Sequence, residues 1–193
     1  MSKRISPVQI LGALLLLLGL GTLIAQQLLI RNNTTANENV TQQIRQILPE
    51  GSTGTMVDYS SPEMPVLQLE DTDYVCLLEV PTFGLELSIH DQWDPGILTT
   101  QPSKFWGSIY DGTLILGGSN HEGQFAFCSQ MDVGDPIHIT DMQGTQFRCR
   151  VEKIQRSASA DFEVLSNSEY PLTLFVRERY ENRYIIVRCV WDY

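Results

Sequence analysis

The sequence predicts an all-β domain, a closed β-barrel of about seven to eight strands with short helical connections. An N-terminal transmembrane helix is predicted to precede it. Two observations carry these predictions. From residue 74 onward, short apolar segments alternate with turn-forming residues about every ten positions, which is typical of antiparallel β-structure. Near the N-terminus lies a run of apolar residues without a charge.

The N-terminal apolar run has the length of a membrane anchor. No charged residue lies between Arg4 and Arg31, and residues 10–25 are almost entirely Leu, Ile, Gly and Ala. A helix of about 20 such residues crosses a bilayer. Lys3 and Arg4 precede the run, which places the N-terminus in the cytoplasm and the rest outside the cell. A cleaved signal peptide is the alternative, but no convincing cleavage site follows the long run. We therefore expect an uncleaved anchor in residues 1–31 of a single-pass cell-membrane protein.

Residues 32–70 are predicted to form an extracellular stalk, because they are rich in Asn, Thr, Gln, Ser, Pro and Gly. Within them, residues 38–48 carry apolar side chains at helical spacing and are predicted to form a short helix. Pro49, Gly51 and Gly54 then end it.

The barrel domain is predicted to occupy residues 71–193. Its two clearest hairpins turn at Pro-Thr-Phe-Gly and at Met-Gln-Gly. Two helical turns are predicted at residues 124–131 and 159–165. The predicted strands are residues 74–80, 85–90, 112–117, 136–141, 145–155, 172–176 and 183–190.

Charge and cysteine content exclude some functions. The net charge of −10 argues against nucleic acid as a partner, because phosphates require a basic face. An even number of cysteines outside the membrane permits two disulfides, and buried free thiols are the alternative. No pair has the Cys-x-x-Cys spacing of a zinc site, so neither a metal nor a cofactor is expected. The cysteines are Cys76, Cys128, Cys149 and Cys189.

Four segments, in the same order along the chain, resemble those of the sortases, the cysteine transpeptidases that attach proteins to Gram-positive cell walls. Tyr74 to Leu87 resembles the opening strand pair, and Leu114 to Phe125 resembles the segment that ends in the sortase histidine. Val133 to Asp141 contains a Val-Gly-Asp hairpin strand. Leu172 to Cys189 resembles the pair of strands that carries the cysteine and the arginine. The resemblance implies a sortase-like barrel.

The resemblance also implies where the reacting groups belong. A sortase uses a Cys thiolate as nucleophile, a His as general acid and an Arg that stabilises the oxyanion. In the matching segments the Arg position holds Arg183, as the family expects. The nucleophile position holds Arg177, preceded by Val176 in place of a threonine, and the His position holds Ser119. Two of the three groups are therefore absent.

No other residue clearly replaces them. A guanidinium stays protonated and cannot be a nucleophile. His121 is a candidate displaced acid, and an ordinary loop histidine is the alternative. Cys189 lies six residues after Arg183, about 20 Å along a strand, which is too far for both to contact one oxyanion. Cys128 and Cys149 match structural positions in the family pattern.

Arg177 and Arg183 end and begin neighbouring strands. If the strands pair as in sortases, the two guanidinium groups are expected to converge at the groove and bind a carboxylate or another anion. The alternative is that Glu178 or Glu181 neutralises them.

The sequence therefore predicts an extracellular, catalytically inactive pseudo-sortase, which is bound to the membrane by its N-terminal helix. Its partner would be a sorting-signal-like peptide or a cell-wall protein held in the groove. An active cysteine transpeptidase or hydrolase with displaced groups is the alternative. A purely architectural domain is a third hypothesis, because a fold persists without its reaction.

Overall fold

The structure, a computed structural model, describes residues 15–22, 37–49, 62–96, 98, 100–166, 169–179 and 181–193. Residues 15–22 are helical, and the remainder of the predicted anchor lies outside the described residues. Among the described residues, no helix has the length and apolar character needed to cross a membrane.

The described residues contain nine strands and few helices. The helix α1 comprises residues 37–47, and α2 is Phe162–Leu165. Single 3₁₀ turns lie at Pro81–Phe83 and Phe125–Ser129. The strands are β1 (Leu67–Leu69), β2 (Thr72–Val80), β3 (Leu85–His90), β4 (Ser103–Trp106), β5 (Leu114–Gly118), β6 (Pro136–Asp141), β7 (Gln146–Ser157), β8 (Leu172–Arg177) and β9 (Tyr184–Trp191).

One sheet closes on itself. Its strand order is β1-β2-β3-β4-β5-β8-β9-β7-β6, and β2 also pairs with β6, so that β2 to β9 form a barrel. The pairs β3–β4 and β5–β8 are parallel and the others are antiparallel. The prediction of an all-β closed barrel is confirmed.

The barrel interior is filled by the side chains on one face of each strand. Along β8 these are Leu172, Leu174 and Val176, and Ile185 and Val187 of β9 lie opposite the last two. All five are at most 1% exposed. Because side chains alternate along a strand, the residues between them point to the outside of the barrel.

Those outward side chains of β8 and β9 form a second apolar layer, the outer-face cluster. Phe175 and Ile186 are cross-strand partners at its centre, and Ile115 of β5 and Leu165 of α2 pack with them. Trp93, from the connection after β3, covers the cluster from outside. This layer holds α2 and the Trp93 segment against the barrel.

Gly117 of β5 makes room for this covering layer. A Cβ atom at Gly117 would lie 2.6 Å from Cζ3 of Trp93 and 2.7 Å from Cζ of Phe175, far inside van der Waals contact. The glycine therefore lets both rings approach the sheet.

The helix α1, within the predicted stalk, packs on the barrel wall. Ile44 is fully buried in a cluster with Tyr74 and Leu77 of β2. The hydroxyl of Ser88 donates to Oδ1 of Asn37 at 2.7 Å, and the Ser88 N–H donates to Oγ1 of Thr41 at 3.1 Å. The predicted helix at residues 38–48 is therefore present, displaced by one residue.

All four cysteines are free and buried. Of the two alternatives left by the sequence, buried thiols are the one that the structure shows. Three of them, Cys76, Cys149 and Cys189, have no exposed surface at all.

Candidate functional site

Arg177 is the last residue of β8, and its side chain is exposed. Its Nη2 donates to Oδ1 of Asn182 at 2.9 Å. The parallel partner β5 ends beside it, because Gly118 pairs with Val176. The chain that leaves β5 toward Ser119 therefore starts next to Arg177, and the structure brings the predicted nucleophile and acid positions to the same edge of the barrel.

Ser119 is held in its own loop. Its hydroxyl donates to Oε1 of Gln124 at 2.7 Å. Its carbonyl accepts hydrogen bonds from the N–H groups of His121 at 2.9 Å and Phe125 at 3.1 Å. The hydrogen-bond partner of the hydroxyl is thus an amide and not a base, so this contact does not activate the hydroxyl as a nucleophile.

His121 and Arg177 line one open cavity of about 410 Å³, called here the Arg177 cavity. The histidine is half-buried at the turn that follows β5. It therefore lies beside the position where a sortase thiol would be, as the displaced-acid hypothesis requires. The complete lining is Asn120, His121, Arg177, Glu178, Arg179, Glu181 and Asn182.

Arg183 does not line this cavity. The β8–β9 register pairs Arg177 with Tyr184, and the Glu178 N–H donates to the Arg183 carbonyl at 2.8 Å. Arg183 is therefore one residue out of step with Arg177, and its guanidinium pairs with Glu181. The expected convergence of the two guanidinium groups is not found among the described residues, because the cavity lining includes Arg177 and not Arg183.

Both glutamates near the strand ends have arginine partners. Nη2 of Arg183 lies 2.6 Å from Oε2 of Glu181. Nε of Arg156, on β7, lies 2.9 Å from Oε1 of Glu178. The predicted neutralisation is thus present for Arg183. Arg177, in contrast, donates a hydrogen bond to the amide oxygen of Asn182, which carries no charge.

None of the four cysteines lines the Arg177 cavity. Burial raises the pKa of the thiols of Cys76, Cys128 and Cys189 well above the usual value. It raises the pKa of Cys149 to about 12, assisted by the charge of Asp192. Since the thiolate is the reactive form, these thiols are chemically inert at neutral pH.

A second cavity of about 290 Å³, the Trp106 pocket, lies between α2 and the outer face of β5 and β8. The rings of Trp106 and Phe162 meet edge to face at its mouth, with centroids 5.2 Å apart. Trp106 is 55% exposed and Phe162 is 46% exposed, so both present apolar surface to a ligand. The lining is Trp106, Thr113, Ile115, Phe162, Leu165, Ser166, Tyr170 and Thr173.

Trp93 separates the two cavities. Its ring centroid lies 5.5 Å from that of Phe175 and 4.9 Å from that of Phe105. On β8, Phe175 lies between Thr173, which lines the Trp106 pocket, and Arg177. The outer face of β8 thus carries three features in order. They are the Trp106 pocket, the packed rings of Trp93, Phe105 and Phe175, called here the Trp93 ridge, and the Arg177 cavity.

Arg188 fixes the wall of the Trp106 pocket. Its guanidinium donates to the carbonyls of Val164 and Leu165 in α2 and lies over the ring of Tyr170, 5.6 Å from the centroid. It also donates to Oγ1 of Thr173 at 2.8 Å. Burial lowers the pKa of this arginine, and none of these partners is a carboxylate.

Arg188, Trp93 and Trp106 were not among the functional residues predicted from the sequence. An arginine within the otherwise apolar segment of β9 is a signal for a buried polar contact. The two tryptophans carry no local signal, because their position depends on connections that fold back over the sheet.

Comparison with solved structures identifies the architecture. Sortase A from Listeria monocytogenes matches with a TM-score of 0.55 at 14% identity, over 62% of this chain and 88% of that one. A lid mutant of sortase A from Corynebacterium diphtheriae matches with a TM-score of 0.55 at 18% identity, over 82% and 95%. The chain has a sortase-like fold.

A third match extends this likeness to the C sortases. Sortase C-3 from Streptococcus pneumoniae has a TM-score of 0.55 at 16% identity, over 84% of this chain and 81% of that one. No protein-family model and no curated protein matches the sequence. The sortase-like fold is thus shown by structure, and activity has to be argued from the site.

Proposed function

We propose that this chain is a membrane-anchored extracellular pseudo-sortase, which binds a peptide along the outer face of β5 and β8 and does not cleave it. The single observation that carries the proposal is Arg177 at the end of β8, where the resemblance expects the nucleophile. A guanidinium is protonated at any physiological pH and cannot form an acyl intermediate.

The surroundings of Arg177 support an inactive site. His121 supplies a group for the role of general acid, but no thiol lines the cavity that it shares with Arg177. The Ser119 hydroxyl donates its hydrogen bond to the amide oxygen of Gln124. The alternative of an active cysteine enzyme with displaced groups requires one of four buried thiols to reach this surface, which their burial opposes.

The outer face suits a peptide because it combines apolar and polar subsites. Binding sites are concave, mostly apolar and supplied with a few polar groups. The Trp106 pocket offers two exposed aromatic rings, and the Arg177 cavity offers charge. A sorting-signal-like peptide or a cell-wall protein segment is the proposed ligand. This is the ligand class that the sortase resemblance suggests.

The anchor belongs to the same proposal. The uncharged sequence between Arg4 and Arg31 and the preceding basic residues support a single span with the barrel outside the cell. A tethered binding domain would act on proteins at the same surface.

Titration of the isotope-labelled full chain with acetyl-Leu-Ala-Ala-Ala-amide, followed by NMR, tests the proposed binding. We expect shifts at Thr113 and Thr173 and recovery of uncleaved peptide. Trp106→Ala should weaken binding by about tenfold, because it removes an aromatic contact at the mouth. Val133→Ala, a similarly exposed apolar position at 66%, is the matched control and should leave affinity unchanged. Shifts spread over the surface, or equal effects of both variants, would contradict the groove assignment.

A further inference from the structure

We infer that the Arg177 cavity binds the free C-terminal carboxylate of a peptide. This inference rests on the proposed function in one respect, namely that the peptide lies along the outer face of β8. It goes further in naming the chemical group at the end of that peptide, and hence in selecting a chain end over an internal segment.

The local charge favours an anion although the chain as a whole is acidic. Arg177 and Arg179 both line the cavity. The two lining glutamates are each balanced by an arginine outside it, Glu178 by Arg156 and Glu181 by Arg183. Neither lining glutamate is therefore paired with Arg177, which stays available to an anion in a protein whose net charge is −10.

The available donors have the geometry of a carboxylate site. Arg177 uses Nη2 toward Asn182, and the rest of its planar guanidinium fork has no other hydrogen-bond partner among the described residues. Such a fork binds both oxygens of a carboxylate through parallel hydrogen bonds. His121 lines the same cavity and supplies a further ring N–H donor, as Asn120 supplies an amide.

The spacing along β8 fits the end of a bound peptide. Thr173 in the Trp106 pocket and Arg177 are four residues apart, about 13 Å along the strand. An extended peptide with an apolar side chain in the Trp106 pocket would therefore reach Arg177 about four residues later. Its path crosses the Trp93 ridge. A terminal carboxylate at that point would pair with the guanidinium, whereas an internal peptide bond offers only a neutral carbonyl oxygen.

Calorimetry with the full chain and two matched peptides tests this inference. Acetyl-Leu-Ala-Ala-Ala with a free carboxylate should bind at least about tenfold more tightly than its C-terminal amide, because charge-assisted hydrogen bonds are the stronger class. Arg177→Gln should abolish that difference. Arg148→Gln removes the same charge from an exposed position on β7 and should preserve the difference in affinity between the two peptides.

The outcomes separate the two proposals. Equal affinity of both peptides overturns the carboxylate site and leaves peptide binding in place. If neither peptide binds, N-acetylglycine is titrated alone and followed at the His121 resonances. If the His121 resonances shift and Arg177→Gln removes the shift, the carboxylate site is supported although the groove proposal fails. If the His121 resonances do not shift, both proposals are overturned. Stronger displacement by inorganic phosphate than by acetate would assign the cavity to phosphate and overturn the peptide end.

Discussion

The guanidinium of Arg188 lies opposite Thr173 in the β8–β9 pair and donates a 2.8 Å hydrogen bond to its hydroxyl. Thr173 belongs to the floor of the Trp106 pocket, and the same guanidinium holds the carbonyls of Val164 and Leu165 in its wall. One buried cation thus fixes the distance between floor and wall. The proposed peptide site depends on this residue, although the residue is not in the pocket lining.

Replacement of Arg188 tests this positioning role. Arg188→Met should lower the free energy of unfolding by about 2–4 kcal/mol, because two carbonyls and a hydroxyl lose a charged donor. Arg188→Lys should restore only part of the lost stability, since an ammonium group cannot reproduce the planar fork of the guanidinium. Urea denaturation measures the stability, and peptide titration measures the pocket. A change below about 0.5 kcal/mol for Arg188→Met would show that the guanidinium is not holding α2.

The barrel was predictable because its signals are local. The hairpin of β6 and β7 follows from alternating apolar residues around Met-Gln-Gly, and β3 and β6 have the predicted bounds. The short strands β1 and β4 were missed, since four residues or fewer carry too little pattern to stand out.

The site was only partly predictable, because its geometry is set by register and by distant segments. His121 and Arg177 line one cavity where the parallel strands β5 and β8 end together, as the order of the motifs suggested, and Ser119 lies in the adjoining loop without lining it. The position of Arg183 outside the Arg177 cavity depends on the connection between β8 and β9, in which Glu178 pairs with Arg183. The Trp93 cover depends on a connection whose path no local rule determines.

Gly117→Ala tests the packing of the Trp93 ridge. The added methyl group would overlap the rings of Trp93 and Phe175 and should cost about 1–3 kcal/mol, the usual range for overpacking. Tryptophan fluorescence should shift to the red as the ring is displaced into water. In a Trp93→Leu background the same glycine change should cost less, and equal costs in both backgrounds would show that Trp93 does not cover Gly117.

The docking of α1 is tested by two isoleucines of one helix. Ile44 is fully buried against β2 and Ile47 is 57% exposed. Ile44→Ala should destabilise the fold by about 2–4 kcal/mol, and Ile47→Ala by less than about 0.5 kcal/mol. Chemical denaturation measures both. Similar losses would indicate that α1 is a separate stalk segment and not part of the barrel unit.

The buried thiols predict a loss of stability in alkali. Burial raises the folded-state pKa of Cys149 from 9.0 to about 12, so between these pH values the unfolded chain releases a proton that the folded chain keeps. The contribution of the protonated Cys149 thiol to the free energy of unfolding is complete below pH 9.0. It falls as the pH rises, by at most about 1.4 kcal/mol per pH unit. Cys149→Ala should therefore flatten the decline of unfolding free energy between pH 9.0 and 12. An unchanged slope would contradict the burial of this thiol.

Arg177→Cys should create the one reactive thiol of the folded chain. Iodoacetamide at pH 8 should alkylate the introduced cysteine and leave the native cysteines unmodified, because these are buried and protonated. Arg148→Cys is the exposed control. Its thiol should react more slowly, because it lacks the neighbouring His121 and Arg179 that lower a thiol pKa. Alkylation of a native cysteine without denaturant would contradict this account.

The central claim, that this sortase-like domain binds a peptide and does not cleave it, is tested most directly by one mass measurement. The full chain is incubated with sorting-signal-type peptides and a small amine acceptor, and protein and peptide masses are recorded with and without prior alkylation. The predicted result is an unmodified protein, intact peptides and no amine-linked product. Product formation or an acylated cysteine that alkylation abolishes would show that the domain is an active transpeptidase.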